Sequence, residues 1–377
     1  MKVKLHILFL NSWYPSKVLP ANGDFIQRHA EAIALEHQVT AIHVISDKSI
    51  KKNLVIDDTT INRVRTIIAY HKFSKNPLIK ISRFFKSYLQ LLNRIEYFDV
   101  VHLNRIYPVG LIALYLKWFK KKRYIVSEHW HGYHKPFCNN ISFAERLFSK
   151  QIVKSASCIC PVTDQLGTAM RNFGLTNNNY IKVSNVIDTD LFKPIDKVQN
   201  TFKIIHISSM DKVKNVPEIL KAIGKLQSTN VDFKFYLIGN NAVDFSSLAK
   251  QLKISPTRIS FINQLSHQNL VSYLQQADVL VLFSTIENAP CVILEAFACG
   301  VSVISTNVGG ISEHFPKDFG TLIPMHDTNA LLEALIQNHN TKKKISKEAM
   351  HTYVNQNFSK MTVAKQFTKV YLSVLKK

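Results

Sequence analysis

Two glutamates flank a proline between residues 284 and 310. The segment reads STIENAPCVILEAFACGVSVISTNVGG, with Glu287 before Pro290 and Glu295 after it. Proline favours the first turn of a helix and glycine the residue after its end, so we predict a helix over 290–299. A helix N-terminus presents unpaired N–H groups and a partial positive charge, which favour a phosphate. The two carboxylates could contact a sugar and a ribose on either side of a diphosphate, which indicates a nucleotide-sugar site.

Each glutamate also has an ordinary explanation when it is taken alone. Glu287 follows the strand-like run VLVLFS and could cap a helix start, and Glu295 could be a surface residue of the helix. The functional interpretation depends on the order of features along the chain: strand, glutamate, proline, glutamate, a glycine that ends the helix, the strand VSVIST and Gly309-Gly310. Parallel sheets bind ligands at the carboxyl ends of their strands, where this order places the segment.

Three more candidates follow predicted strands. Lys214, in HISSMDKVKNVPEIL, could reach a diphosphate as a point charge, or it is a solvated surface lysine. Gly23 lies in a long loop before a helix, where it allows close backbone approach to a ligand or forms a plain turn. His129 belongs to SEHWHGYHKPF, and at a strand end we expect it to hydrogen-bond a sugar hydroxyl. Zinc binding by His129, His131 and His134 is the weaker alternative, because no carboxylate follows them.

Strand-like and helical stretches alternate twice along the chain. HILFL, QVTAIHVIS, DVVHLN, RYIVSEH and SCICPVT form the first series of strands, and FKIIHIS, FKFYLIG, ISFIN, VLVLFS, VSVIST and GTLIP form the second. The alternation predicts an α/β fold of two Rossmann-like domains that face each other across a cleft, each with a parallel sheet. A polar, proline-containing linker near 190–200 puts the domains at 1–193 and 194–359, with a helix over about 360–377 packing back on the first domain.

The composition is typical of a soluble two-domain protein. The 377 residues are 46% hydrophobic, with a mean hydropathy of -0.02, and no apolar run reaches the roughly 18 to 20 residues of a membrane span. The start MKVKLHILFLNSWYP superficially resembles a secretion signal, but its apolar stretch is short and we interpret it as the first strand. Five cysteines match neither a zinc site nor a CxxC pair, which predicts a reduced, cytoplasmic, metal-free protein. Cys158 and Cys160 should share one face of a strand.

The net charge of +22 is concentrated in the first half of the chain. Residues 1–200 hold 29 Lys and Arg against 14 Asp and Glu, or +15, and the remainder holds 19 against 12, or +7. Within 72–94, six basic residues are interspersed with ten apolar ones. This is the pattern of a basic amphipathic helix that lies on an anionic membrane, or of a solvated helix whose apolar face packs on its own domain. No nucleic-acid motif accompanies the charge, so we expect no nucleic-acid partner.

Taken together, these segments resemble the retaining glycosyltransferases of family 4 (glycosyl transferases group 1), which have the GT-B fold. The resemblance covers almost the whole chain, since NGDFIQRHAEAI, SEHW, VSNVIDTDLFKP, the lysine and asparagine at 214–215 and the 284–313 block occur in the expected order. The last block is the most specific, because Glu287 and Glu295 fit the family's spaced glutamates. One position departs from the family: Ser208-Ser209 stands where Gly-Arg is common, so an arginine contact to the diphosphate is missing.

The resemblance implies a role for each candidate. Glu287 would bind hydroxyls of the donor sugar near its anomeric carbon, and Glu295 would bind the ribose. Lys214 would neutralise the leaving diphosphate, and His129 would lie near the donor sugar. Further donor contacts would come from Gly23, from the hydroxyl of Ser209, and from Asn288, Ala289 and Pro290. Members of the family need no metal ion, and we expect no cofactor beyond the donor.

The implied reaction moves a sugar from a UDP- or GDP-sugar to an acceptor hydroxyl with retention of configuration. No carboxylate is well placed as a covalent nucleophile, so we favour attack from the leaving-group face, assisted by the donor phosphate. The charge and apolar residues of the first domain suggest a lipid-linked glycan acceptor. The setting would be cell-surface polysaccharide synthesis (lipopolysaccharide, O-antigen, capsule or exopolysaccharide) by a peripheral protein on the inner face of the cytoplasmic membrane. Two alternatives remain open: a nucleotide-sugar 2-epimerase of the same fold, and a catalytically inactive scaffold subunit, which the serine at 209 would favour.

Overall fold

The computed structural model describes residues 4–196, 201–341 and 345–376. The chain divides into two compact units, Met1–Val186 with Lys360–Lys377, and Ile187–Ser359. The division falls earlier than the predicted linker because Ile187 donates its N–H to the carbonyl of Phe358 (2.9 Å) and Phe192 is buried in the core of the second unit. Residues 187–193 therefore lie in the second unit. Residues 197–200 of the predicted linker lie outside the described residues.

The first unit contains a sheet of seven strands. They are β1 (His6–Asn11), β2 (Gln38–Asp47), β3 (Leu54–Ile61), β4 (Val64–Lys72), β5 (Val100–Asn104), β6 (Tyr124–Glu128) and β7 (Cys158–Pro161). Their spatial order is β3-β4-β2-β1-β5-β6-β7, and every neighbouring pair is parallel except the antiparallel pair β3 and β4. The predicted parallel sheet is thus confirmed, with one antiparallel edge strand added.

The added strand belongs to a hairpin that the sequence interpretation missed. Its turn is Asn62-Arg63, and both residues have positive φ, at 48° and 70°. Two successive positive φ values are typical of the type I′ hairpin turn, which usually contains glycine at its second position. Because Arg63 occupies that position, the sequence lacks the Asn-Gly pair that signals a hairpin, although the backbone adopts the turn.

Six helices cover the first sheet: α1 (Asp24–Ile33), α2 (Pro77–Leu92), α3 (Gly110–Lys120), α4 (Phe143–Ser155), α5 (Asp164–Asn172) and α12 (Lys360–Lys376). Helices α1 and α12 share one hydrophobic core, in which Ile26, Ala30, Phe367 and Tyr371 pack with Ile7. The connection through α1 runs from β1 to β2, whereas the connections through α2, α3 and α4 cross the sheet in the other direction. Because crossovers between parallel strands are right-handed, α2, α3 and α4 lie on the face opposite to α1.

The second unit contains a six-stranded, fully parallel sheet. Its strands are β8 (Phe202–Ser208), β9 (Phe233–Gly239), β10 (Ile259–Ile262), β11 (Val279–Leu282), β12 (Ser302–Thr306) and β13 (Gly320–Ile323). The order is β10-β9-β8-β11-β12-β13. Its helices are α6 (Val216–Leu226), α7 (Ser246–Gln251), α8 (His267–Gln276), α9 (Cys291–Ala298), α10 (Thr328–Asn340) and α11 (Lys347–Phe358). This confirms a second α/β domain with a parallel sheet, in which β8, β11 and β12 are neighbours.

Cys158 and Cys160 are both fully buried on the same face of β7, within the core that α1 and α12 cover, as predicted. Within the described ranges, no helix is both long and apolar enough to cross a membrane.

Candidate functional site

Glu287 lies in the loop after β11, which is flanked by β8 and β12. The residue is almost fully buried, at 8% exposure. The oxygen Oε1 accepts hydrogen bonds from Lys214 Nζ (2.5 Å) and from Ser284 Oγ (2.7 Å). The structure therefore brings together Glu287 and Lys214, two of the predicted residues, from the ends of adjacent strands. Ser284 was not singled out from the sequence, although it starts the same loop.

Two hydrogen bonds hold this loop in place. The N–H of Thr285 donates to the carbonyl of Val213 (2.8 Å), which ties the loop after β11 to the loop after β8. The hydroxyl of Thr306, at the end of β12, donates to the carbonyl of Ser284 (2.6 Å). The loop after β8 and the last residue of β12 thus fix the backbone that carries Glu287.

Gly309 packs directly against the backbone of Glu287. It has φ of +58°, and a Cβ atom built on it would lie 1.6 Å from the carbonyl oxygen of Glu287. Any side chain at this position would overlap the Glu287 backbone, so the loop after β12 can take its course only with glycine here. The Gly-Gly pair that the sequence places after VSVIST therefore has a packing role at Glu287.

Pro290 precedes α9 as its N-cap residue, and the helix runs over Cys291–Ala298, within the predicted 290–299. Gly300 follows with φ of +71°, in the left-handed conformation that ends helices. Asn288 is buried at 7% exposure, and Ala289 and Pro290 are partly buried. Glu295 lies one turn inside α9 and is buried rather than on the surface. Its Oε1 is 3.8 Å from Nε2 of His267, the first residue of α8.

Ser209 is exposed, and its hydroxyl donates to Asp211 (2.7 Å) within the same loop. The buried residue near this loop is His206, whose Nδ1 and Nε2 lie 2.8 Å from the carbonyl of Val281 and the hydroxyl of Ser208. Burial lowers the pKa of His206 to about 4, so the imidazole is neutral and connects β8 to β11. The sequence interpretation did not single out His206, because a histidine inside a strand gives no functional signal by itself.

Gly23 and His129 belong to the first unit. Gly23 is the N-cap of α1 with φ of 75°, and a Cβ there would lie 2.7 Å from the backbone carbon of Trp13. His129 lies at the end of β6, with its ring centroid 4.7 Å from that of Phe25 and 5.4 Å from that of His29. Burial, together with the nearby His29, lowers the pKa of His129 well below its usual value. A neutral imidazole can hydrogen-bond a hydroxyl but carries no charge at neutral pH.

Glu128 is a residue that the sequence interpretation passed over in favour of its histidine neighbour. It is fully buried; Oε2 accepts from the N–H of Ile106 (3.0 Å) and Oε1 from those of His129 and Trp130 (2.9 Å each). Burial raises the pKa of Glu128, while these hydrogen bonds and the Arg105 charge oppose the shift. The side chain fixes the loop after β5 to the loop after β6. In the part of the chain that the structure describes, no group of three or more His, Cys, Asp and Glu residues could hold a metal ion.

The family model for glycosyl transferases group 1 matches residues 188–352, and the model for glycosyltransferase family 4 matches residues 26–191. N-acetyl-alpha-D-glucosaminyl L-malate synthase of Bacillus anthracis is 27% identical over 296 residues, which is 74% of this chain and 76% of that protein.

Two solved structures share the fold over the whole chain. Sucrose-phosphate synthase from Thermosynechococcus elongatus superposes with a TM-score of 0.79, at 16% identity, over 99% of this chain and all of that one. Anabaena HepE in complex with UDP and glucose superposes with a TM-score of 0.73, at 15% identity, over 98% of this chain and all of that one. Similarity at this level of identity concerns the fold, which is that of the GT-B glycosyltransferases.

Proposed function

Since the chain belongs to glycosyltransferase family 4, we propose that it transfers a sugar from a nucleotide-sugar donor to a glycan hydroxyl, with retention of configuration and without a metal ion. The observation that carries the proposal is the buried cluster of Lys214, Ser284 and Glu287 just before α9. A UDP-sugar is the first donor to test, because the fold relative HepE has been seen with UDP and glucose. A GDP-sugar is the second.

Each group of the cluster has a part in the proposed reaction. The bond between the anomeric carbon and the donor diphosphate breaks, and the bond from that carbon to the acceptor oxygen forms on the same face. The acceptor proton passes to the departing diphosphate. Lys214 and the α9 N-terminus stabilise the growing negative charge on the diphosphate. Electrostatic stabilisation of this kind is usually the largest single contribution to lowering the barrier. Glu287 accepts hydrogen bonds from sugar hydroxyls, and Glu295 binds the ribose.

The first unit contributes groups of a different kind. Neutral His129 hydrogen-bonds a sugar hydroxyl, and the loop of Gly23 supplies backbone contacts.

In the second unit, the hydroxyl of Ser209 replaces the guanidinium that the family commonly has at this position. Asn288, Ala289 and Pro290 contribute backbone contacts at the α9 N-terminus. These roles are part of the proposal, and the cluster at Glu287 is its most direct test.

The proposed acceptor is a lipid-linked glycan at the inner face of the cytoplasmic membrane, in cell-surface polysaccharide synthesis. Helix α2 supports this assignment because its apolar residues Leu78, Ile79 and Ile81 are 74%, 41% and 54% exposed. Lys80 and Lys86, on the same helix, are exposed as well. Of the two sequence interpretations, membrane contact fits these exposures better than packing of the whole apolar face on its own domain.

A second exposed apolar region lies on the same side of the first sheet. Phe119 at the end of α3 is 71% exposed, and Phe143 and Leu147 on the adjacent α4 are 83% and 55% exposed. Lys120 and Lys121 lie beside Phe119 in the chain and are exposed. Aromatic rings beside lysines suit the boundary between lipid headgroups and acyl chains. Helices α2, α3 and α4 therefore present a basic and apolar surface for an anionic membrane.

Replacement of Glu287 by alanine tests the proposed function. A thermal-shift screen with UDP-, GDP- and ADP-sugars first identifies the donor, because a ligand that binds the folded state raises its apparent stability. Glu287→Ala should then abolish donor turnover and leave the far-UV circular dichroism unchanged. Glu218→Ala is the matched control, because Glu218 also pairs with a lysine, Lys221 (2.6 Å), and lies on α6 outside the cluster. Unchanged turnover in Glu287→Ala would refute the site.

The same assay separates the two alternative functions. A 2-epimerase would convert the donor to its epimer when no acceptor is present, whereas a transferase would leave the donor intact or hydrolyse it slowly. A catalytically inactive scaffold would show no turnover with any donor and acceptor, and Glu287→Ala would then have no effect. Product analysis by NMR of the anomeric proton distinguishes the three outcomes and reports retention directly.

A further inference from the structure

Arg105 lies at the carboxyl end of the first sheet, directly after β5. Its guanidinium carbon is 4.4 Å from the ring centroid of Trp13 and 4.7 Å from that of Trp130. These residues come from the loops after β1 and β6, the strands on either side of β5. A guanidinium over two indole rings is held by cation–π attraction while its N–H groups remain available at the edge.

The guanidinium of Arg105 has no hydrogen-bond partner and no ion-pair partner within the described ranges of the chain. Burial raises the pKa of the Glu128 carboxyl and the Arg105 charge opposes that shift, but the carboxylate accepts its hydrogen bonds from the backbone N–H groups of Ile106, His129 and Trp130. Arg105 is partly exposed, so a ligand in solution can reach the residue, whose guanidinium carries five N–H donors.

The arrangement around Arg105 is held in place from several directions. Arg105 itself has φ of +69°, a left-handed conformation that a non-glycine residue adopts at a cost of about 1 kcal/mol or more. Gly132 allows the indole of Trp130 to lie against its own turn, since a Cβ at 132 would come within 2.2 Å of the ring. Gly23 similarly packs on the backbone of Trp13. Both rings and the guanidinium are therefore fixed before any ligand binds.

We propose that Arg105, with Trp13 and Trp130, forms a binding site for an oxyanion carried by the acceptor substrate. A planar guanidinium matches two oxygens of a phosphate or a carboxylate in a bidentate manner. The indole faces beside it suit the apolar face of a sugar ring or a lipid chain next to the anion. The assignment of the anion to the acceptor rests on the proposed function, but the anion site itself does not.

Tryptophan fluorescence gives a direct test, because Trp13 and Trp130 are two of only three tryptophans in the chain. The third, Trp118, is 49% exposed on α3 and can be replaced by phenylalanine to leave the two reporters. The full-length Trp118→Phe protein is titrated with inorganic phosphate and with malonate at constant ionic strength, with glycerol as the neutral control. We expect a saturable fluorescence change with at least one anion and none with glycerol.

Variants of Arg105 then connect the signal to the site. In the Trp118→Phe background, Arg105→Gln should abolish the saturable change, and Arg105→Lys, which keeps the charge but not the fork, should weaken binding at least tenfold. Arg171→Gln is the matched control, because the Arg171 guanidinium also lies over an aromatic ring, that of Tyr180 at 4.1 Å, and should leave the titration unchanged.

The outcomes are distinct from those of the Glu287 experiment. Stronger binding of phosphate than of malonate would indicate a phosphate-bearing acceptor, and the reverse would indicate an acidic sugar or another carboxylate. A missing response to both anions, or a response that persists in Arg105→Gln, would overturn the inference. If Arg105→Gln does not fold, an unweakened titration in Arg105→Lys would overturn it as well. None of these results depends on donor turnover, so the proposed function is tested separately.

Discussion

Gly309→Ala should inactivate the site without touching any side chain that we place in it. A Cβ at this position would lie 1.6 Å from the carbonyl oxygen of Glu287, 2.7 Å from its carbonyl carbon and 3.2 Å from its nitrogen. Ordinary contact begins at 3.4 Å, so one of the two backbones must move by about 1.8 Å at the closest point. The variant must also keep alanine at φ of +58°, which costs about 1 to 2 kcal/mol.

The loop of Glu287 is the part that should move. Glu287 is held by hydrogen bonds from Lys214 and Ser284, and a displacement of its backbone would lengthen both of them. A misplacement of about 1 Å in a catalytic group can reduce the rate by about a hundredfold. We therefore expect at least that loss in donor turnover, together with a lower melting temperature that leaves the chain folded at 25 °C.

The assay follows nucleotide release from the donor identified by thermal shift, with circular dichroism as the check on folding. Gly224→Ala is the control, because Gly224 lies inside α6 and its Cβ would meet nothing closer than the Leu252 carbonyl oxygen at 3.5 Å. Alanine within a helix should raise stability there by up to about 1 kcal/mol and leave turnover unchanged. Turnover of Gly309→Ala within twofold of the wild type would refute the argument that this contact positions Glu287.

Two further predictions concern the membrane surface and the buried histidines. The double variant Lys80→Glu with Lys86→Glu, both on α2, should reduce sedimentation with phosphatidylserine vesicles at least tenfold, because each lysine near an anionic surface contributes about 1 kcal/mol to binding. The charge-matched control, Lys234→Glu with Lys250→Glu in the second unit, should bind like the wild type. Equal binding by all three proteins would contradict the assignment. Burial lowers the pKa of His43 to about 4, so its contribution to stability is complete above the unfolded pKa of about 6.5 and is lost as the pH falls towards 4. Between pH 7.5 and pH 5.5, the free energy of unfolding measured with denaturant should fall by about 1 kcal/mol less in His43→Gln than in the wild type. An equal fall in both proteins would show that the imidazole does not remain neutral.

The sequence was sufficient where a local pattern and the global arrangement coincide. Alternating strands and helices predict parallel sheets because a parallel connection needs a crossover helix, and both sheets follow this rule. The helix after Pro290 was predicted from its proline and glycine ends, and α9 lies within the predicted range. The placement of Lys214 and Glu287 at the ends of neighbouring strands follows from the strand order, which the sequence interpretation did not specify.

The sequence was insufficient where a residue acts through its backbone or through a distant partner. The hairpin of β3 and β4 turns at Asn62-Arg63, where Asn62 suits a type I′ turn but Arg63 stands in place of the glycine that would signal one. Arg105 contacts tryptophans from two separate loops, so neither the spacing nor the local composition could connect the three. Glu128 binds three backbone amides and would have looked the same in the sequence as an exposed glutamate.

The ion pair between Lys214 and Glu287 explains how two opposite charges can be kept at the bottom of one site. Their side chains are only 17% and 9% exposed, and a buried charge without a partner would be strongly destabilising. Each therefore offsets the desolvation of the other, while Ser284 gives Glu287 a second partner that does not depend on the lysine. In the proposed reaction the donor diphosphate, which carries more negative charge than one carboxylate, attracts the Lys214 ammonium, and Ser284 continues to hold Glu287 in place. Under the proposed function, the Ser284 hydroxyl thus keeps the Glu287 carboxylate in place while the lysine changes partners.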